Sequence, residues 1–174
     1  MRLLARHLDV PERTLRRAAA LGLLHGERLS ERRFKTTLRE EAYLRGHWPL
    51  LSVLRGALRT EPNVRLAVLF GSVATGEETE GSDLDLLVAL RDPSAAAVAS
   101  LSARLGDRVG RDVQLVRLQE AERSPGLVVD VLASGRVLVD RDRLWPRLKA
   151  AEPRWRRRVA EDVPLEEAMR DLEL

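Results

Sequence analysis

The sequence predicts an α+β fold in which a helical N-terminal part precedes a small sheet covered by helices, and three observations carry that prediction. Leu66, Val68 and Phe70 alternate with Arg65, Ala67 and Leu69, the period of a strand, and Gly71-Ser72 ends the alternation abruptly. Residues 83–90 repeat the pattern, with Asp83 and Asp85 on one face and Leu84, Leu86, Val88 and Leu90 on the other. Elsewhere apolar residues recur at helical spacing, as in Leu50, Leu51, Leu54 and Leu58.

At 174 residues, with 44% hydrophobic, 33% charged and 3% aromatic side chains, the chain suits two small units built on cores of Leu, Val and Ala. The expected division is residues 1–46 and 47–174. No run approaches the roughly 20 apolar residues that span a bilayer, and MRLLARHLDV lacks the continuous apolar segment of a secretory signal, so a cytoplasmic location without membrane contact is expected. The absence of cysteine excludes disulfides and thiolate zinc sites, leaving oxygen or histidine ligands for any metal.

Charge separates the two parts. Residues 1–60 hold 13 Lys+Arg against 6 Asp+Glu, a net of +7, whereas residues 61–174 hold 17 against 21, a net of −4. A basic N-terminal part suits a nucleic-acid partner, because phosphate contacts supply most non-specific affinity. Leu3, Leu4 and Leu8 share a face of a first short helix, and Asp9-Val10-Pro11 turns the chain. The next helix, from Pro11 to Leu21, turns Leu15, Ala18 and Ala19 inward and stops at Gly22. The segment LLARHLDVPERTLRRAAALGLL resembles a helix-turn-helix, which implies DNA contacts by Arg13, Thr14, Arg16 and Arg17. GERLSERRF then forms a wing or loop whose Arg28, Arg32, Arg33 and Lys35 would meet phosphates. Thr36–Leu44 and His47–Arg59 are expected as two helices, followed by the breaker Glu61-Pro62-Asn63.

Beyond the first strand, the amides of the Gly71-Ser72 turn can approach a phosphate, because glycine presents no side chain. Asp83 and Asp85 point the same way, roughly 7 Å apart by strand rise. Two carboxylates this close repel unless a cation lies between them, and Mg²⁺ favours carboxylates together with substrate phosphate oxygens. Ser94 caps a helix through Leu105, and Asp112–Leu118 follows as a strand that begins with a third carboxylate. Pro125–Ser134 reads as a helix and 135–140 as a turn with an edge strand. Arg141–Arg158 reads as a helix interrupted by Pro146 and Pro153, and 164–174 as an amphipathic helix or tail. Glu77, Glu78 and Glu80 read as solvated loop residues, Trp48, Trp145 and Trp155 as packing residues, and His7, His25 and His47 share no metal-binding spacing.

Gly71-Ser72, then Asp83-Leu84-Asp85, then Asp112 in a later strand resembles the GS, DxD and third-aspartate signature of the DNA-polymerase-β-like nucleotidyltransferase superfamily, in its minimal nucleotidyltransferase branch. The resemblance covers residues 47 to about 140. It implies a small mixed sheet flanked by helices, with Gly71, Ser72 and Ser82 at the nucleotide. It also implies that Asp83, Asp85 and Asp112 are catalytic and hold two Mg²⁺ ions. The implied reaction moves a nucleoside monophosphate, AMP from ATP or another nucleotide triphosphate, onto a hydroxyl. Minimal members often act as antitoxins that modify a HEPN-type ribonuclease toxin, and a DNA-binding module suits such self-regulating operons. Two other readings stand beside it: a DNA-binding transcriptional regulator that senses nucleotide without catalysis, and a transferase acting on a small molecule such as an aminoglycoside. A helix-turn-helix also favours a homodimer.

Overall fold

The computed structural model describes residues 1–30 and 33–170, with side chains through residue 161. Helices α1 (Arg2–His7) and α2 (Glu12–Leu21) bury Leu4, Leu15 and Ala18 between them and the rest of the molecule. Pro11 precedes the first turn of α2, where a missing donor costs nothing, and Gly22 ends it at φ +96°. A short antiparallel hairpin follows, β1 (Glu27–Arg28) with β2 (Phe34–Lys35), in the segment expected as a wing or loop.

The pair of helices expected on either side of residue 46 is instead a single helix, α3 (Leu38–Arg59). Its start is capped by Thr37, whose side chain accepts from Glu40 N at 3.1 Å. Gly46 and Pro49 do not break it, because Tyr43, Leu44, Trp48, Leu51, Leu54 and Leu58 form one buried stripe on both sides of them. Burial of that stripe outweighs the loss of about 1 kcal/mol at a helical glycine and of one backbone donor at the proline. Position 46, the expected boundary, therefore lies inside a helix.

Strand β3 (Val64–Phe70) leads into the one-turn helix α4 (Gly71–Thr75), and β4 (Leu84–Leu90) returns antiparallel to it. Helix α5 (Ala95–Val109), capped by Ser94, crosses over to β5 (Val113–Arg117), which lies parallel to β4. Then come α6 (Leu118–Ala121), α7 (Pro125–Ser134), the edge strand β6 (Arg136–Asp140), α8 (Leu144–Ala150) and α9 (Glu152–Arg170). Pro146 and Pro153 fall in the first turns of α8 and α9, so they begin helices rather than interrupt one. The expected C-terminal element runs in α9 as far as Arg170 and lies outside the described residues from 171 onward.

The four strands lie in the order β5-β4-β3-β6, a mixed sheet with helices on both faces, as predicted. On one face Leu69, Leu84, Leu86 and Val88 pack with α3 and α5, and Leu4 and Leu15 of the N-terminal helices, with Leu23 just after them, join the same cluster. On the other, Leu66, Val68 and Leu87 pack with α7, Trp145 and Trp155, which are core residues as expected. The N-terminal helices are thus continuous with the core of the sheet, and Val137 N of β6 donates to Gly22 O at 3.1 Å.

Candidate active site

The site forms where β3 gives way to α4 beside the start of β4. Phe70 pairs with Asp85 across the antiparallel ladder, which brings the next residue, Gly71, against the carboxylate. Gly71 has φ +74°, and a Cβ there would stand 2.6 Å from Asp85 Oδ2. Both the backbone conformation and the close approach require glycine. Ser72 is half-buried in the same turn, its carbonyl accepting from Glu77 N at 2.9 Å.

Asp83 and Asp85 flank Leu84, whose amide donates to Asp112 O at 2.9 Å and so locks β4 to the start of β5. Burial, and secondarily the negative charge of Asp83, push the Asp85 carboxyl above its usual range. The two carboxylates therefore oppose one another, and their oxygen donors suit a hard divalent cation. Asp83, Asp112 and Gln114 line an open cleft of about 1070 Å³ bounded by Gly81, Ser82 and Gly106. Asp85 faces Gly71 on the other side of the pair.

The expected three-carboxylate group is not formed. Among the described residues no three His, Cys, Asp or Glu side chains come together as metal ligands. The parallel register pairs Asp85 with Gln114 and leaves Asp112 exposed, one residue before the strand begins. Gln114 occupies the place beside the pair, and its Nε2 donates to Asp83 Oδ2 at 2.6 Å. Ser82 shapes the loop: its Oγ accepts from Thr79 N at 2.9 Å and its carbonyl accepts from Arg111.

Helix α3 braces this turn from behind. Tyr43 donates its hydroxyl to Val73 O at 3.0 Å, and burial pushes that hydroxyl well above the usual phenol range, so it acts as a neutral donor. His47 stacks on Tyr43 with ring centroids 4.1 Å apart, and its Nε2 meets Glu78 Oε1 at 2.5 Å. Glu78 is thus a tether of the loop rather than a solvated residue. Buried Arg136 donates to Ala74 O at 2.7 Å and to both oxygens of buried Glu40 at 2.7 and 2.8 Å. Of these braces only the Tyr43–His47 pair left a trace in the sequence, as two ring side chains one helical turn apart.

Of the predicted DNA contacts, Arg13 and Arg17 are exposed on α2. Arg16 is also exposed, but it is engaged by Glu12 at 2.8 Å. Thr14 is half-buried against α3, Arg33 is exposed after the hairpin turn, and Arg32 lies outside the described residues.

A family model described as polymerase beta, nucleotidyltransferase, matches residues 54–144. The chain belongs to this family. The match spans the GS turn, Asp83 and Asp85 at the start of β4, Gln114 and the edge strand. A crystal structure of a toxin–antitoxin with AMP-PNP is similar at 25% identity and TM-score 0.56, over 68% of this nucleotidyltransferase and 98% of that chain. A mutant of the toxin–antitoxin pair MntA–HpeT is similar at 25% identity and TM-score 0.52, over 71% and 97%. Tri-AMPylated Shewanella oneidensis HEPN toxin in complex with MNT antitoxin matches at 22% identity and TM-score 0.50, over 73% and 98%, a likeness of fold. No curated protein matches the nucleotidyltransferase significantly in sequence.

Proposed function

We propose that this nucleotidyltransferase moves AMP from ATP onto a hydroxyl of a partner protein, a HEPN-type toxin, and so serves as its antitoxin. The observation that carries the reading is the Asp83–Asp85 pair set against the Gly71 turn, next to a cleft large enough for a nucleotide. Asp83 and Asp85 would hold Mg²⁺, which when bound neutralises phosphate charge and lowers the pKa of an attacking hydroxyl. Gly71 and Ser72 offer amides to the triphosphate without a side chain in the way. Gln114 holds Asp83 in one orientation, and Asp112 lines the cleft by which an acceptor would approach. The hydroxyl oxygen forms a bond to the α-phosphorus, the bond to the β-phosphate oxygen breaks, pyrophosphate leaves, and the hydroxyl proton passes to a carboxylate or to water. The likeness to a toxin–antitoxin crystallised with AMP-PNP supports both the nucleotide and the acceptor.

The test is incubation of the protein with labelled ATP, Mg²⁺ and the protein encoded by its adjacent reading frame. Label should appear on that partner and vanish with Asp83→Asn or Asp85→Asn while the thermal midpoint is kept. Equal labelling by both variants would refute the assignment.

A second reading concerns the N-terminal part, where exposed Arg13 and Arg17 on α2 and Arg33 after the hairpin favour DNA binding beside catalysis. This would let the protein regulate its own transcription. A mobility-shift assay on its upstream region should weaken when Arg13 and Arg17 become alanine, and binding by the variant equal to the wild type would refute it.

A further inference from the structure

Between α2 and α3 lies a hollow of about 180 Å³ whose polar lining includes Thr14, Ser52, Arg55 and Arg59. Arg55 Nε is buried there and has no hydrogen-bond partner among the described residues. A buried guanidinium donor left unsatisfied costs free energy comparable to a lost hydrogen bond, so a partner is expected to come from outside the chain. Burial and the like charges of Arg59 and Arg17 all push the Arg55 guanidinium below its usual range. Two arginines therefore line one place, and none of the residues lining the hollow is acidic.

Gly56 supplies an independent observation. It also lines the hollow, in the last turn of α3. A Cβ at this position would meet nothing within 4 Å, so no packing constraint requires the glycine. Gly56 leaves that part of the wall of the hollow without a side chain.

We propose that this hollow binds one backbone phosphate of a nucleic acid, gripped by Arg55 and Arg59 with the Thr14 and Ser52 hydroxyls as further donors. Charge-assisted hydrogen bonds to guanidinium are the strong ones, and a phosphate oxygen supplies the acceptor that Arg55 Nε lacks. The occupant is a backbone phosphate because the exposed face of α2 carries Arg13 and Arg17 beside the hollow, in the half of the chain with net charge +7. Thr14, one of the expected DNA contacts, meets the phosphate in this arrangement. This inference rests on the DNA-binding reading above and names the residues that would fix the register of α2 on the duplex.

Two arms test it on the full chain. In the first, fluorescence anisotropy with labelled duplex DNA is measured across a salt series. Arg55→Gln and Arg59→Gln should each weaken binding by about tenfold, equally on upstream and arbitrary sequences, and reduce the slope of log K against log salt by about 1. An unchanged slope in both variants would overturn the proposal. Arg59→Gln changes an exposed side chain, so the test survives if Arg55→Gln fails to fold. In the second arm, inorganic phosphate should raise the thermal midpoint of the wild type and not that of Arg55→Gln or Arg59→Gln. Equal stabilisation of all three would overturn the site irrespective of DNA. Stabilisation that requires these arginines, in a protein that binds no duplex at low salt, would overturn nucleic acid as the occupant and the DNA-binding reading with it, leaving a site for a free phosphate ester.

Discussion

Removing the carboxylate of Glu40 should be among the most damaging single changes outside the active site. Glu40 and Arg136 are 5% and 3% exposed, and the guanidinium uses Nη1 and Nη2 on the two carboxylate oxygens, at 2.7 and 2.8 Å. Its Nε donates to Ala74 O, and Nη1 also reaches Leu23 O at 3.2 Å, while the plane lies 3.6 Å from the Tyr43 ring centroid. In Glu40→Leu the charge of Arg136 stays buried without its partner, a situation that costs about 3–5 kcal/mol. For a chain of this size each kcal/mol shifts the midpoint by about 2–4 °C, so Tm should fall by about 6–20 °C. Arg136→Met should cost a similar amount, since it strands Glu40 and the carbonyls of Ala74 and Leu23. The double variant removes both charges and leaves only neutral groups unpaired, chiefly those carbonyls and His25 N, which donates to Glu40 at 2.9 Å. Its loss should therefore fall short of the sum of the single losses by about 3 kcal/mol or more, read from urea unfolding as a double-mutant cycle. Additive losses, or a cost below about 1 kcal/mol for Glu40→Leu, would refute the view that this pair is a closed, desolvated unit.

Three further outcomes are expected. Gly71→Ala forces a side chain into a left-handed conformation and against Asp85 Oδ2, so it should lose about 1–2 kcal/mol in thermal unfolding and most of its transfer activity; wild-type activity would contradict the geometry. Burial, and then the nearby positive charge of Arg136, hold His25 below its ordinary value of 6.5, so the unfolded chain takes up its proton first. The stability this contributes is full above about pH 6.5 and is lost as pH falls through the lowered folded value, so His25→Gln should flatten the urea midpoint against pH in that window. Gln114→Asp places a third carboxylate level with Asp85 and should tighten Mn²⁺ binding by about tenfold in a calorimetric titration while lowering the metal-free thermal midpoint; unchanged affinity would show that position 114 does not face the ion.

Local pattern made much of the fold legible. The alternation of β3 and β4, the glycine at position 71, the Ser94 cap and the stop at Gly22 each follow from short-range geometry, and each stands where the residues put it. Register was not legible, since it depends on which residue of β5 lies level with Asp85. A one-residue view of a strand start favoured Asp112, whereas the pairing of Leu84 with Val113 brings Gln114 to the aspartates. The same limit hid the Arg136–Glu40 pair, whose partners are 96 residues apart and join only after α3 packs across the sheet. The break expected between residues 44 and 47 failed for the opposite reason: Gly46 lowers local helix propensity, and burial of the Tyr43–Leu58 stripe overrides it.

The N-terminal helices and the transfer site meet on one helix, which has a consequence for how they communicate. Helix α3 presents Arg55 and Arg59 beside α2 near its C-terminal end, while near its N-terminal end Glu40, Tyr43 and His47 face the residues that hold α4 and the loop after it. The span between Tyr43 and Arg55 is about 18 Å of helix at 1.5 Å per residue, with the Trp48, Leu51 and Leu54 side chains buried along it. A ligand engaging Arg55 while α3 is docked would favour the docked arrangement and so favour the bracing of Val73, Ala74 and Glu78. Linkage then requires nucleotide bound at the Gly71 turn to strengthen binding at the hollow by the same factor. Anisotropy titrations of duplex DNA with and without AMP-PNP and Mg²⁺ measure that factor directly. Tyr43→Phe, which removes only the hydrogen bond to Val73 O, should bring it closer to one, and a factor that the variant leaves unchanged would mean that the two sites share a helix without sharing free energy.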